Sequence, residues 1–252
     1  MLPRMSKVMI VTGGSRGIGA ATARLAARRG YAVAVNYLRD AAAAEAVVAS
    51  IAAEGGRALS IAADVSRESE VERMFARVDE ALGKVDALVN NAGVVDVQAR
   101  VDAMSEARLR RMFEINVIGS FLCAREAVRR MSSSRGGAGG SIVNVSSAAA
   151  RHGSAGEYVD YAAAKAAIDT FTIGLAREVA NEKIRVNAVR PGIILTGIHA
   201  SGGDPDRALR LGPTLPMQRA GTPEEVASAI LWLCGEESSY STGSILDVAG
   251  GR

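Results

Sequence analysis

The sequence predicts an α/β fold in which helices cover both faces of a parallel sheet. Short β-branched runs alternate with longer Ala-rich amphipathic runs along the chain, and the strand-like runs are apolar throughout. Strands with this composition are buried on both faces, as in parallel sheets. No shift in composition divides the 252 residues. Because this length is near the upper limit for one hydrophobic core, we predict a single domain over residues 1–252.

The first half of the chain alternates four predicted strands with three predicted helices. The strands occupy residues 8–11, 31–35, 58–62 and 85–89. The first helix spans residues 18–29 and ends at Gly30, because glycine favours the backbone conformation that follows a helix. The second spans residues 41–54. The third is predicted to be capped by Ser66 and to run to Gly83.

The second half adds three more strands and three more helices. The strands are predicted at residues 141–145, 184–189 and 244–248. A long helix runs from a cap at Ser105 to about residue 131, followed by a Ser/Gly-rich loop at 132–140, and another helix spans residues 158–180. A final helix to residue 234 begins at Thr222-Pro223-Glu224-Glu225, which combines a capping hydroxyl, proline in the first turn and acids that complement the helix dipole.

Composition excludes several classes of function. The 30 Lys and Arg against 27 Asp and Glu leave a net charge of +3 without a run of like charges, so we predict no nucleic-acid partner. Cys123 and Cys234 lie far apart in apolar stretches, which predicts buried thiols and neither a disulfide nor a zinc site. With only two histidines, we expect no metal centre.

The sequence predicts a cytoplasmic protein without a membrane partner. No apolar run approaches the length of a transmembrane helix. The first residues are too few and too polar for a signal peptide. Met5 is an alternative to Met1 as the natural start.

A glycine-rich loop follows the first strand and opens the first helix. In Thr12–Gly19, residues Gly13, Gly17 and Gly19 have the spacing GxxxGxG. Glycines let the backbone turn tightly and approach a pyrophosphate, while the helix N-terminus offers N–H donors and positive potential. The loop therefore predicts nucleotide binding, with a purely structural turn as the alternative.

The end of the second strand predicts which dinucleotide binds. An acid at this place would bond the ribose 2′-hydroxyl of NAD. Here the chain reads Asn36-Tyr37-Leu38-Arg39, and Asp40 lies too far along. Without a carboxylate to repel a 2′-phosphate, Arg16 and Arg39 could pair with it, which predicts NADP(H). The alternative is that both arginines are solvated surface charges.

Tyr161 and Lys165 form a candidate acid–base pair. They lie four residues apart on a predicted helix and so share one face. A nearby ammonium favours the phenolate, so we expect Lys165 to lower the pKa of Tyr161 from about 10. That shift would suit a general acid–base near neutral pH. Alone, such a pair is common and without function.

Together, these motifs resemble the short-chain dehydrogenase/reductase family, in its branch of chains of about 250 residues. The resemblance covers essentially the whole chain, and its motifs occur in order. They are TGxxxGIG at Thr12–Gly19, Asp64-Val65, Asn90-Asn91-Ala92-Gly93, Asn116, Ser146-Ser147, Tyr161-x-x-x-Lys165 and Pro191-Gly192. The resemblance implies a Rossmann-type three-layer sandwich with a seven-stranded parallel sheet in the order 3-2-1-4-5-6-7, and a homotetramer. Glu157–Tyr161 and Met217–Arg219 are similar to bacterial members of the glucose 1-dehydrogenase-like and 3-oxoacyl-carrier-protein reductase-like types.

The resemblance also implies roles for individual residues. Tyr161 would exchange a proton with the substrate oxygen, Ser147 would hydrogen-bond that oxygen, Lys165 would bond the nicotinamide ribose, and Asn116 would hold a water linking Lys165 to solvent. Asp64 and Val65 would edge the adenine, and Ile194 and Thr196 would contact the nicotinamide amide. The full set of implied cofactor-binding residues is Gly13, Ser15, Arg16, Gly17, Ile18, Gly19, Asn36, Tyr37, Arg39, Asp64, Val65, Asn91, Ala92, Gly93, Tyr161, Lys165, Pro191, Gly192, Ile194 and Thr196.

Two alternatives stay open at the predicted catalytic residues. Ser147 lies one residue further from Tyr161 than is commonest in the family, which indicates an insertion within residues 148–160. Ser146 therefore competes with Ser147, and since adjacent strand residues face opposite ways, only one of them can serve. Tyr158 competes with Tyr161, but the residue four beyond it is Ala162, so no lysine supports it.

Substrate contacts are expected from loops at the carboxyl ends of the strands. The candidate segments are residues 94–97, 149–158 and a long segment at about 195–220 that looks like a substrate lid. Arg151, His152, Glu157 and His199 could bind a polyol or an acid, or could be solvated loop residues. The predicted function is NADP(H)-dependent interconversion of a small-molecule carbonyl and a secondary alcohol. The alternative is a catalytically idle NADP-binding module that senses redox state, which would not need all four catalytic residues.

Overall fold

The computed structural model describes residues 6–252, so the choice between Met1 and Met5 as the start lies outside the described residues. Seven parallel strands form one sheet in the order β3-β2-β1-β4-β5-β6-β7. The predicted fold class and strand order are therefore confirmed. The strands are β1 Val8–Val11, β2 Ala32–Tyr37, β3 Ala58–Ala62, β4 Val85–Asn90, β5 Gly140–Val145, β6 Ile184–Pro191 and β7 Ile245–Val248.

Ten α-helices connect and cover these strands in the described part of the chain. They are α1 Gly17–Arg28, α2 Ala41–Ala53, α3 Glu68–Ala81, α4 Glu106–Phe113, α5 Gly119–Met131, α6 Ala149–His152, α7 Val159–Val179, α8 Ile198–Ser201, α9 Arg207–Leu211 and α10 Pro223–Cys234. Helices α3, α5 and α7 bury apolar residues on one face of the sheet, and α1, α2 and α10 do so on the other.

The strands carry both cores because each has apolar residues on both faces. Along β1, Val8 and Ile10 belong to the core under α3, α5 and α7, whereas Met9 and Val11 belong to the core under α1, α2 and α10. All four are at most 2% exposed. Successive side chains of a strand point to opposite faces, so a continuous apolar run serves two cores at once.

Two predicted boundaries in the first half were wrong. The second strand runs on to Tyr37, because Asn36 and Tyr37 still pair with Ile61 and Ala62 of β3. Ser66 does not cap the third helix, which begins after Arg67 without a side-chain cap. The hydroxyl of Ser66 instead donates to Asp64 Oδ1 at 2.6 Å.

The predicted long helix from Ser105 to residue 131 is confirmed, but it is not α-helical throughout. The Ser105 cap is confirmed, since its hydroxyl accepts from the Arg108 N–H at 3.3 Å. A π-helical segment, Glu114–Ile118, then separates α4 from α5. Within it, the Asn116 side chain donates to the Met112 carbonyl at 3.0 Å, and such bulges occur mainly at functional sites.

Other boundaries differ by one or two residues, and the predicted loop at 132–140 contains a short 3₁₀ turn, Ser133–Arg135, and gives its last residue to β5. The start of α10 is confirmed as a full capping box formed by Thr222 and Glu225. No helix within residues 6–252 has both the length and the apolar character to cross a membrane. The same residues contain no cluster of His, Cys, Asp and Glu that could hold a metal ion.

Candidate active site

Three positions of the glycine loop between β1 and α1 strongly favour glycine. Gly13 and Gly17 have φ angles of +60° and +54°, which favour glycine. A Cβ atom at Gly19 would lie 2.6 Å from the Asn91 amide nitrogen and would overlap the Gly13 carbonyl oxygen. The first turn of α1 contains no acid. The loop therefore keeps a bare backbone beside a positive helix terminus, which fits the pyrophosphate of a dinucleotide.

Residues after β4 hold this loop in place. Asn91 donates its side-chain amide to the carbonyls of Thr12 and Gly13, at 2.9 and 3.0 Å. The Thr12 hydroxyl accepts from the backbone N–H groups of Asn91 and Ala92, at 2.9 and 3.0 Å. The structure thus brings the predicted residues Asn91 and Ala92 into contact with the glycine loop. Ser15 and Ile18 lie within it or at the start of α1 and are partly buried.

The predicted cofactor residue Asn36 has no side-chain group left for a ligand. Its carbonyl oxygen accepts from the Gly13 N–H at 3.2 Å, and its amide donates to backbone carbonyls that include those of Ile61 and Ala63. The side chain is buried because Asn36 lies within β2, which extends to Tyr37. Asn36 therefore holds the glycine loop through the Gly13 N–H.

The glycine loop and the residues after β2 carry free positive charge. Arg16 and Arg39 are exposed, and neither forms an ion pair within residues 6–252. The carboxylate of Asp40 caps α2 by accepting from the Ala43 N–H at 3.0 Å. Tyr37 is partly buried at the end of β2. The sequence prediction that no carboxylate follows this strand at the ribose position agrees with this placement.

The predicted adenine-side residues follow β3. Asp64 is partly buried and accepts from the backbone and hydroxyl of Ser66, while its own N–H donates to Glu70 at 2.8 Å. Val65 is buried and lies close to Gly119. A Cβ atom on Gly119 would lie 2.8 Å from a side-chain carbon of Val65.

Gly93 lies beside two of the predicted catalytic residues. A Cβ atom on it would lie 2.7 Å from Asn116 Oδ1 and 3.4 Å from Lys165 Nζ, so these three residues are neighbours. Asn116 is fully buried, and its amide exchanges hydrogen bonds with the backbone of Val94 at 3.0 and 3.2 Å.

The structure brings Tyr161, Ser147 and Lys165 together at the start of α7 and the end of β5. The Ser147 hydroxyl is close enough to Tyr161 to act on its pKa, and it also accepts from the Ala149 N–H at 3.1 Å. Lys165 Nζ lies 5.6 Å from the centre of the Tyr161 ring and donates to the Val145 carbonyl at 2.8 Å. Tyr161 and Ser147 also line one cavity.

The expected acidification of Tyr161 was wrong for this structure. Burial raises the pKa of Tyr161 to about 12, and only the interaction with the Ser147 hydroxyl opposes that rise. Burial likewise lowers the pKa of Lys165 to about 8, although Asp169 acts in the opposite direction. The Lys165 ammonium is directed to the Val145 carbonyl rather than to the phenol oxygen, so desolvation prevails over charge attraction. Tyr161 is therefore a neutral phenol at pH 7, which is the proton-donating form.

Geometry also separates the competing residues. Ser146 is buried and donates its hydroxyl to the Lys165 carbonyl at 3.1 Å, whereas Ser147 faces the cavity. Tyr158 lines the same cavity, but its hydroxyl donates to the Gly202 carbonyl at 3.2 Å. Of these four residues, Ser147 and Tyr161 thus remain the pair that lines the cavity and whose hydroxyl groups do not donate to a backbone carbonyl within residues 6–252.

The segment after β6 closes the other side of the crevice. Gly192 follows Pro191 and bonds the Val248 carbonyl at 3.0 Å, and a side chain on it would overlap Ala249. Ile194 is buried, and Thr196 lies next to Gly17 of the glycine loop. The predicted residues after β1, β4, β5 and β6 therefore surround one crevice at the carboxyl edge of the sheet.

A cavity of about 100 Å³ opens beside Tyr161. Its walls come from the segments after β4, β5 and β6, from α7 and from the predicted lid, which contributes Ile198, His199 and Arg207. His152 lines it, as predicted for a substrate loop. Arg207 and Arg252 were missed by sequence reasoning. They are isolated arginines without a motif, and only the folded chain places them here.

A buried ion pair that sequence reasoning also missed lies behind the cavity. Arg108 of α4 donates to both carboxylate oxygens of Asp160, at 2.8 and 3.2 Å, and to the Val97 carbonyl at 2.7 Å. Asp160 directly precedes Tyr161 in α7. The 52-residue separation within this pair left no local signal.

Comparison with known proteins agrees with this geometry. Residues 13–252 match a family model described as enoyl-(acyl carrier protein) reductase. The chain is 54% identical over 245 residues to the uncharacterized oxidoreductase YgfF of Escherichia coli, covering 97% of this chain and 99% of the relative. It is 37% identical over 250 residues to a 3-oxoacyl-[acyl-carrier-protein] reductase of Synechocystis, covering 98% and 96%. A short chain dehydrogenase from Burkholderia cenocepacia, solved in complex with NADP, superimposes with a TM-score of 0.89 at 34% identity, covering 98% of each chain.

Proposed function

Because the chain belongs to the short-chain dehydrogenase/reductase family, we propose that it is an NADP(H)-dependent oxidoreductase that interconverts a carbonyl and a secondary alcohol. The observation that carries the proposal is that Tyr161 and Ser147 line one cavity, with Lys165 Nζ 5.6 Å from the centre of the Tyr161 ring. The substrate is a small molecule, since the cavity has a volume of about 100 Å³.

The residues around the crevice fit a dinucleotide. The glycine loop and the N-terminus of α1 would hold the pyrophosphate, and Asp64 and Val65 would border the adenine. Gly93, Asn116 and Lys165 would border the nicotinamide ribose. When bound, NADP(H) supplies or accepts the hydride at the substrate carbon.

The protein supplies the proton and stabilises the substrate oxygen. In the reduction direction, Tyr161 gives its proton to the carbonyl oxygen as the C–H bond forms, and it regains a proton from solvent. Ser147 donates a hydrogen bond to the same oxygen as negative charge develops on it. Lys165 places positive charge beside the phenolate that Tyr161 becomes. In oxidation of an alcohol, the same groups act in reverse.

We propose NADP(H) rather than NAD(H) because of the charges at the end of β2. Arg16 and Arg39 are exposed and without ion pairs in the described chain, so both are free to pair with a 2′-phosphate. Asp40 is held as the cap of α2. NADPH should therefore have a lower Michaelis constant than NADH. Arg39→Gln should raise the constant for NADPH and leave that for NADH unchanged.

Substitution of Tyr161 tests the chemical role. Tyr161→Phe should lower turnover of small ketones by at least about a hundredfold, because general acid catalysis contributes about that much or more. NADPH affinity, measured by calorimetric titration, should remain close to that of the parent. Tyr240→Phe is the matched control, since Tyr240 is fully exposed. Unchanged turnover in Tyr161→Phe would reassign the acid. A parent protein that binds NADPH but reduces no carbonyl and oxidises no alcohol would favour the redox-sensing module.

We further propose that the chain forms a homotetramer and that residues 195–220 close over the substrate as a lid. Exposed apolar side chains lie on α4, the π segment and α5, at Leu109, Phe113, Ile118 and Phe121. Phe121 stacks on Phe171 of α7 with ring centres 3.7 Å apart. Burial of these faces against other copies would remove this apolar surface from water. A monomer in light scattering would contradict the tetramer.

A further inference from the structure

One wall of the predicted substrate cavity carries a guanidinium that forms no ion pair within the described residues. Arg252 lines the cavity together with Tyr161 and Ser147, and it is partly buried. Within residues 6–252 its guanidinium forms no ion pair and no side-chain hydrogen bond. Guanidinium groups stay protonated in proteins, so burial does not remove the positive charge of Arg252.

The acids near Arg252 are already paired with other arginines. Glu157 holds the guanidinium of Arg207 through two contacts, at 2.5 and 3.1 Å, and the Arg207 side chain is only 7% exposed. Asp204 pairs with Arg210 and lies 4.0 Å from Arg207. With these acids engaged by Arg207 and Arg210, Arg252 has no ion-pair partner within the described residues.

The two histidines of the cavity do not change this balance. Burial lowers the pKa of His152 and that of His199, and His199 also bonds the Ile194 carbonyl at 2.9 Å. Both rings are therefore neutral at pH 7. Burial also lowers the pKa of Arg252, and the positive charge of Arg207 lowers it further, whereas Glu157 acts in the opposite direction. The surroundings of Arg252 thus disfavour its positive charge.

We propose that Arg252 binds an anionic group of the substrate, and that the substrate is a ketone or secondary alcohol carrying a carboxylate. This inference rests on the proposed function, because it places the carboxylate in the same cavity as the reacting oxygen. The single positive charge of Arg252 can form a charge-assisted pair with one carboxylate, whereas a phosphate monoester carries about −1.5 to −2. Arg207, held rigidly by Glu157 and by the face of Tyr158 at 5.4 Å, keeps a second guanidinium nearby.

The test compares oxo acids with their neutral primary amides, which match them closely in size. Acetoacetate and levulinate are each assayed against the corresponding amide with saturating NADPH. The parent should prefer the acid by about tenfold or more in kcat/KM, the ratio expected for one charge-assisted hydrogen bond. Arg252→Gln should abolish that preference by raising the KM of the acids relative to that of the amides. Arg73→Gln, which alters an exposed arginine on α3, is the matched control.

A second measurement separates this inference from the proposed function. Calorimetric titration of the NADP⁺ complex with isobutyrate and isobutyramide reports carboxylate binding without turnover. Tighter binding of isobutyrate, lost in Arg252→Gln and kept in Arg73→Gln, would support the anion site even if no oxo acid in the panel were reduced. Reduction of neutral ketones with no preference for acids, and equal affinities for the two titrants, would overturn the inference and leave the proposed function standing. Failure of every carbonyl and alcohol to react would instead count against the proposed function.

Discussion

Removal of the cation alone from the buried Arg108–Asp160 pair should destabilise the protein far more than removal of the cation from a surface pair. The Arg108 side chain is 9% exposed and that of Asp160 is 0% exposed. Arg108→Met would leave the Asp160 carboxylate buried without its cation and the Val97 carbonyl without its donor. Loss of one partner of such a pair costs about 3–5 kcal/mol.

This cost should be visible as a change in melting temperature. For a chain of this size, 1 kcal/mol corresponds to roughly 2–4 °C, so Arg108→Met should melt roughly 6–20 °C below the parent. The assay is thermal unfolding followed by circular dichroism at pH 7. The loss should shrink as the pH falls, because a buried carboxyl group that has lost its cation can hold a proton instead.

Two further variants identify the cause. Arg110→Met removes an exposed ion pair with Glu106 on the same helix, and it should cost at most about 1 kcal/mol. The double variant Arg108→Met/Asp160→Leu should recover much of the stability, since it leaves no unpaired charge. A loss in Arg108→Met no larger than that in Arg110→Met, or a double variant no more stable than Arg108→Met, would refute the reasoning. Because Asp160 precedes Tyr161, Arg108→Met should also lower kcat.

Four other predictions concern the glycine loop, the start of α10 and the thiols. Gly19→Ala should weaken NADPH binding by about tenfold or more in calorimetric titration, because its methyl group would overlap the loop backbone; unchanged affinity would show that the loop yields at little cost. Thr222→Ala should lower the free energy of unfolding by about 1 kcal/mol in urea denaturation, through loss of the cap of α10. The hydrogen bond with Arg219 lowers the pKa of Glu225 to about 2, so Glu225 contributes stability above its ordinary pKa of 4.5 that is lost as the pH falls towards 2; Glu225→Gln should remove this part of the acid sensitivity, and an identical pH profile would contradict it. Burial raises the pKa of Cys123 to about 12 and that of Cys234 to about 11, so neither should react with Ellman's reagent in the native protein at pH 7, and rapid labelling of either would contradict their placement.

The sequence alone was enough for the sheet, the glycine loop and the choice of catalytic candidates. These features are local or periodic: apolar runs identify β1 to β7, glycine spacing identifies the loop, and a four-residue spacing places Tyr161 and Lys165 on one helix face. The strand order followed from a resemblance that covers the whole chain.

Element ends were less predictable because they depend on competing hydrogen-bond partners. Ser66 has a hydroxyl group that could cap a helix, but this hydroxyl donates to Asp64 Oδ1 instead. Asn36 lies where a cofactor contact is expected. However, it pairs with Ile61 of β3, and its side-chain oxygen accepts from the Gly13 N–H of the glycine loop. Sequence shows what a side chain can bond, and only the fold shows which partner it meets.

The charges around the site were decided by tertiary structure alone. The sequence led to an expectation that Lys165 would lower the pKa of Tyr161. In the folded chain, burial raises the pKa of Tyr161, and the Lys165 ammonium donates to the Val145 carbonyl. Arg252 reaches the cavity from a segment 91 residues beyond Tyr161 in the chain. Desolvation and long-range charge depend on which distant segments pack around a group, and no periodicity or local spacing in a sequence records that packing.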